Sequence, residues 1–207
     1  MDHIITFAVT LITITNPLGA LAIFAGITAD RTEEERNQMA IKTAMAVAVI
    51  LIIVTWLGKY LLEAFGVTPS GLQVAGGVII ALFGLSMLQA KTSEMSHNDE
   101  EGDEAQAKES IAVVPMAIPV IAGPGAITTV ILATHHFPSF TAKLAISAIC
   151  IAVSLVIWFC LHYSSAISRK LGVSGMNVMS RLMGMVLAAI AFEMLTDGLK
   201  QLLPGLA

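Results

Sequence analysis

Two blocks in this sequence set proline and glycine inside strongly apolar segments: Asn16-Pro17-Leu18-Gly19, and Ile118-Pro119-Val120-Ile121-Ala122-Gly123-Pro124-Gly125. The chemistry open to them is that of the backbone. Proline has no amide hydrogen and clashes with the carbonyl four residues before it. Pro17 should therefore free the carbonyl of Thr13, and Pro124 that of Val120. Proline also suits the first turn of a helix, which predicts helix starts at Pro17 and Pro124, with Asn16 as a cap for the first. Helix starts carry unpaired amides and partial positive charge, the complement of a carboxylate. The two freed carbonyls, with the side chains of Asn16, Thr128 and Thr15, are the complement of an ammonium. Donors and acceptors together suit a small zwitterionic amino acid. The expected substrate-binding set is Thr13, Asn16, Pro17, Leu18, Gly19, Val120, Gly123, Pro124, Gly125, Ala126 and Thr128.

The elements that must hold these blocks are membrane helices. Of the 207 residues 56% are hydrophobic and 13% charged, about half the charge of an ordinary soluble domain. Positions 3–29, 64–90, 110–142 and 144–168 carry no Asp, Glu, Lys or Arg, and each exceeds the roughly 20 residues a spanning helix needs. Lys42 and Lys59 bracket a shorter run whose lysines reach the interfaces by snorkelling. Six spans are expected, at about 3–28, 40–62, 70–90, 111–134, 143–165 and 177–200. Asp2 and the length of the first run argue against a cleaved signal peptide. Residue 16 lies about 20 Å of helix from the start of its span, and Gly123 about as deep in the fourth. Both breaks thus fall near the middle of a core roughly 30 Å thick.

The halves of the chain repeat. Pro17 and Pro124 are 107 positions apart, and Ser70-Gly71-Leu72-Gln73-Val74 returns 104 positions later as Ser174-Gly175-Met176-Asn177-Val178. Three spans per half, an odd number, invert the second half relative to the first. The expectation is an all-α integral membrane protein of six transmembrane helices, two inverted three-helix repeats with discontinuous first and fourth helices. Residues 1–90 form the first repeat, 91–110 an acidic solvated linker and 111–207 the second. Gly77-x-x-x-Ala81 and Gly184-x-x-x-Ala188 are expected packing surfaces. Arg31, Arg36, Lys42, Lys91, Lys108, Arg169, Lys170 and Arg181 fall on one side, against Lys59, Lys143 and Lys200 on the other. That bias predicts both termini outside.

Glu193 is the most deeply embedded acid and a candidate for proton coupling, with snorkelling to the outer interface as the plainer reading. His135-His136 read as surface or gate residues, and Cys150 and Cys160 as apolar filler too far apart around one helix to bond. No cofactor, metal cluster, nucleotide loop or nucleophile with a supporting base is apparent, and nothing calls for nucleic acid. An enzyme is not expected.

The two blocks, with Ala75-Gly76-Gly77, Val114-Pro115-Met116-Ala117-Ile118-Pro119, Ala122-Gly123-Pro124-Gly125-Ala126-Ile127 and Arg181-Leu182-Met183-Gly184, resemble motifs of the MarC family of membrane proteins. The likeness runs from residue 1 to about 205. One departure is Asn16, where many relatives carry Asp. The resemblance implies a six-span protein of the bacterial inner membrane and transport of small neutral amino acids such as glycine and alanine. The function expected is a secondary transporter or facilitator working by alternating access in the lipid bilayer. A coupling ion (proton or sodium) and homo-oligomerisation stay open. The alternative is a non-transporting scaffold or a stress or antibiotic-tolerance factor.

Overall fold

Apolar runs with no water to pair their backbone must pair it internally, and the described chain is helical from end to end. The computed structural model describes residues 2–28, 31–89, 121–203 and 205. Its helices are α1 (Asp2–Thr15), α2 (Pro17–Ile27), α3 (Glu33–Phe65), α4 (Pro69–Leu88), α5 (Pro124–His136), α6 (Phe140–His162) and α7 (Ser164–Leu202). Five stretches are long and apolar enough to cross a membrane: 4–25, 33–65, 69–88, 140–162 and 174–202. Of the expected fourth span, only the 13 residues of α5 and the three before it are described. Residues 111–120, Val120 among them, and the linker 91–110 lie outside the described residues.

The helix ends differ from the charge-bounded spans for local reasons. The helix expected at 40–62 begins at Glu33, because Thr32 and Glu35 form a reciprocal capping box. Gly66, at φ 65°, then ends it in a left-handed turn. The span expected at 143–165 starts at Phe140, since the Ser139 hydroxyl accepts from the Ala142 amide at 3.2 Å. The last span is longer than 177–200. Gly172, at φ 64° and ψ 178°, divides α7 into a short arm, 164–171, and the crossing itself.

α3 and α6 run antiparallel. Asn37 Oδ1 and His162 Nδ1 lie 2.7 Å apart at one end, and Trp56 Nε1 donates to Ser147 Oγ at 3.3 Å near the other. The 19 residues from Asn37 to Trp56 span about 29 Å, the thickness of a hydrocarbon core. Trp56 meets Phe140 edge-on with Lys143 above it, and Trp158 leans on His162 at the far end. Aromatic rings thus gather near both ends of the pair, the pattern of interfacial belts in membrane proteins.

α4 and α7 pack most closely. A Cβ added to Gly84 would lie 2.9 Å from the Gly184 carbonyl, one on Gly184 2.8 Å from the Gly84 carbonyl, and one on Gly77 3.0 Å from that of Ala191. Gly198 similarly abuts the carbonyl of Ser70. Ser70, Gly77 and Gly84 thus oppose Gly198, Ala191 and Gly184 in seven-residue steps. Backbones meet here because no side chain intervenes. The packing expected of Gly77 and Gly184 is present, and the seam extends beyond the two four-residue motifs. Elsewhere Phe24, Val47, Leu51, Val130, Cys150 and Ile157 form a fully buried core.

Candidate functional site

Asn16 breaks the first span at φ 44°, a left-handed conformation that asparagine tolerates better than most residues. Its Oδ1 accepts from the Gly19 amide at 3.1 Å and its carbonyl from Ala20 at 3.0 Å, so it caps α2 as its position predicts. Gly19 is required by this cap, because a Cβ there would overlap the Asn16 amide. The other end of that amide donates to Met87 Sδ on α4, 3.2 Å away, and Asn16 is 2% exposed.

The first break is therefore closed upon itself. The expectation that Pro17 frees the Thr13 carbonyl is corrected here. The Asn16 amide reaches back to it at 3.1 Å while also bonding the Ile12 carbonyl, since the left-handed turn tightens the helix end. The Thr13 hydroxyl bonds Val9 and that of Thr15 bonds Ile12, each on its own helix.

The second break is different. Gly123 precedes α5 in extended conformation (φ −68°, ψ 179°), and no side chain caps the helix. Pro124 contributes no amide, which leaves those of Gly125 and Ala126 at a buried helix start. A cavity of about 320 Å³ meets this start. Gly123, Pro124, Gly125 and Ala126 line one side of it, Ile14 and Ile80 stand opposite, and the exposed Ile79 and Leu82 belong to its margin. Its size lies at the lower end of small-molecule pockets, about 300–1,000 Å³.

Gly125 is a second position where only glycine fits as things stand. Its Cβ would lie 2.5 Å from Ile80 Cγ1 and 3.2 Å from Ile14 Cγ2. Three residues on, Thr128 faces Gly76, where an added Cβ would lie 2.7 Å from its Oγ1. The Thr128 hydroxyl is one of two buried side-chain donors without a partner among the described residues, the other being the Trp158 indole. Thr55, Thr129, Thr134 and Ser154 instead bond carbonyls of their own helices.

The predicted set is thus only partly assembled. Gly123, Pro124, Gly125 and Ala126 line one cavity, whereas Asn16, Pro17, Leu18, Gly19, Thr13 and Thr128 do not. The two breaks touch α4 two turns apart, at Met87 and at Ile80. Glu193 is exposed on α7, lining a surface hollow with Phe192, Thr196 and Asp197 that shares no residue with this cavity. Sequence reading missed Met87, Ile14 and Ile80, whose apolar side chains carry no local mark of what they meet.

Comparison with known proteins adds the family. The model of the MarC family of integral membrane proteins matches residues 1–203. The UPF0056 membrane protein YhcE of Escherichia coli is 32% identical over 200 residues, covering 97% of this chain and 93% of the relative. A UPF0056 membrane protein of Pyrococcus abyssi is 35% identical over 199 residues, 94% of each chain. The UPF0056 inner membrane protein MarC of Salmonella paratyphi A is 33% identical over 207 residues, 94% of this chain and 93% of its own length. No solved structure matches.

Proposed function

Since this chain belongs to the MarC family of integral membrane proteins, we propose that it is a secondary transporter or facilitator for small neutral amino acids, of the glycine and alanine type. The observation that carries this reading is the uncapped start of α5 beside a cavity at a glycine-rich break. The positive end of α5, which no side chain caps, favours a carboxylate there. The isoleucines around it suit a side chain no larger than a methyl group. The inner membrane is the proposed location, by analogy with the Salmonella relative's name. α2 and α5 each open on a proline, as expected of inverted repeats that alternate access around a midplane site.

Counterflow of labelled glycine or alanine in proteoliposomes tests the proposal, since it needs no knowledge of a coupling ion. Counterflow above protein-free vesicles supports a carrier. Its absence across a panel of small amino acids, with folded protein, favours a non-transporting scaffold. Gly125→Ala should force the Ile80 side chain into the cavity and lower counterflow roughly tenfold, about 1.4 kcal/mol. Adding Ile80→Ala, which removes both clashing carbons, should restore most of the flux. Equal flux in Gly125→Ala and the unaltered protein would remove the cavity from the mechanism.

A further inference from the structure

A second, larger hollow of about 750 Å³ lies where α3 begins and α6 gives way to α7. Arg36 and Arg169 bring two cations to its wall, and Glu33 and Glu34 two anions. Arg36 donates to Ser165 Oγ at 2.6 Å, which ties the short arm of α7 to α3. His162, hydrogen-bonded to Asn37, forms its floor toward the membrane.

Directly along the same two helices runs an apolar groove of about 340 Å³. Ile41, Ala44 and Ala48 line it from α3; Ile151, Leu155 and Trp158 line it from α6. Asn37, Ile41, Ala44 and Ala48 form one stripe at steps of four, three and four residues. His162, Trp158, Leu155 and Ile151 form the matching stripe of the antiparallel helix. The rings of Trp158 and His162 are 5.4 Å apart, so the foot of the polar hollow is the head of the groove. From Asn37 to Ala48 is about 17 Å, close to the depth of one leaflet in a core of roughly 30 Å. At the junction the Trp158 indole N–H is buried without a partner among the described residues.

We propose that this pocket and groove hold one phospholipid with an ethanolamine headgroup. One of its two acyl chains lies on the α3–α6 stripe between small alanines. The phosphate meets Arg36 and Arg169 in charge-assisted hydrogen bonds, and the primary ammonium meets Glu33 and Glu34. Equal numbers of cations and anions in the wall select a zwitterion over a purely anionic headgroup. Carboxylates that need N–H donors select a primary ammonium over a trimethylated one. The site shares no residue with the α5 cavity and does not depend on transport.

Native mass spectrometry of the purified full chain, equilibrated with equimolar phosphatidylethanolamine, phosphatidylglycerol and phosphatidylcholine, reads the assignment. Retention of the ethanolamine lipid should exceed each of the others roughly tenfold, the worth of one charge-assisted hydrogen bond. Glu33→Gln together with Glu34→Gln, both on exposed side chains, should abolish that preference. Ala48→Trp should remove the retained lipid by filling the groove. Equal retention of the three lipids, preference for phosphatidylglycerol, or a preference unchanged when Glu33→Gln and Glu34→Gln are combined would overturn the proposal. Soluble glycerophosphoethanolamine should not displace the lipid at equal concentration; displacement would reduce the site to a headgroup pocket and overturn the role of the groove.

Discussion

At Asn16 a single side chain does three things: it accepts from Gly19, donates to Met87 and tolerates a φ of 44°. Asn16→Ala loses the cap and strains the turn, and should cost about 1–2 kcal/mol by thermal unfolding in detergent. Asn16→Gly, which relieves the turn but not the cap, should recover part of that; equal losses in both would mean that the turn contributes nothing. The cap was legible in sequence, because asparagine before proline is the chemistry of a helix start. Its sulfur partner was not, since Met87 is 71 positions away and looks like any core methionine. The Thr13 carbonyl was misread because the rule for proline counts the donor that is lost, whereas a left-handed residue supplies another. Thr128 supports a separate prediction. Its hydroxyl is buried without a partner among the described residues, so Thr128→Val should leave stability unchanged or raise it by about 1 kcal/mol. A loss of that size would mean that the hydroxyl has a partner in the folded protein.

Among the elements, α4 and α7 are joined backbone to backbone. Gly184→Val would drive side-chain atoms into the Gly84 carbonyl and Met87 Cβ, neither of which can retreat without parting the helices. Overpacking of this kind should cost about 3 kcal/mol. It should appear as loss of the monodisperse peak in size-exclusion chromatography, while Ala189→Val on the exposed face keeps it. Equal behaviour of the two would exclude the seam as a determinant of folding. Apolar runs made the helices legible, but charge-bounded counting cut α3 short at its start. The Thr32-x-x-Glu35 signature was present in the sequence and marks the true beginning. The seven-residue spacing of Ser70, Gly77 and Gly84 was equally visible, yet its opposition to Gly198, Ala191 and Gly184 is a property of two segments brought together. No single window contains it. The same holds for α3 against α6, whose pairing rests on contacts more than ninety positions apart.

For the whole molecule, the contacts fix the sidedness of the ends. α3 starts beside the end of α6, and α7 ends beside the start of α4, where Ser70 Oγ donates to Gln201 Oε1 at 2.8 Å. The first crossing enters from that same side, so both chain ends share one face. The excess of Lys and Arg assigned to the opposite face is the basis for expecting the ends outside. Asp2→Cys and Gly205→Cys should both react with an impermeant maleimide in intact cells, and Ser168→Cys only after lysis. Labelling of one end alone would break the topology; labelling of Ser168→Cys alone would invert it. The self-contained turn at Asn16 has one more consequence. Its polar groups are spent on the protein, while Gly125 and Ala126 line a hollow. In a random-substitution library scored once for quantity in the membrane and once for solute flux, defects at the first break should collect in the former column and defects at the second in the latter.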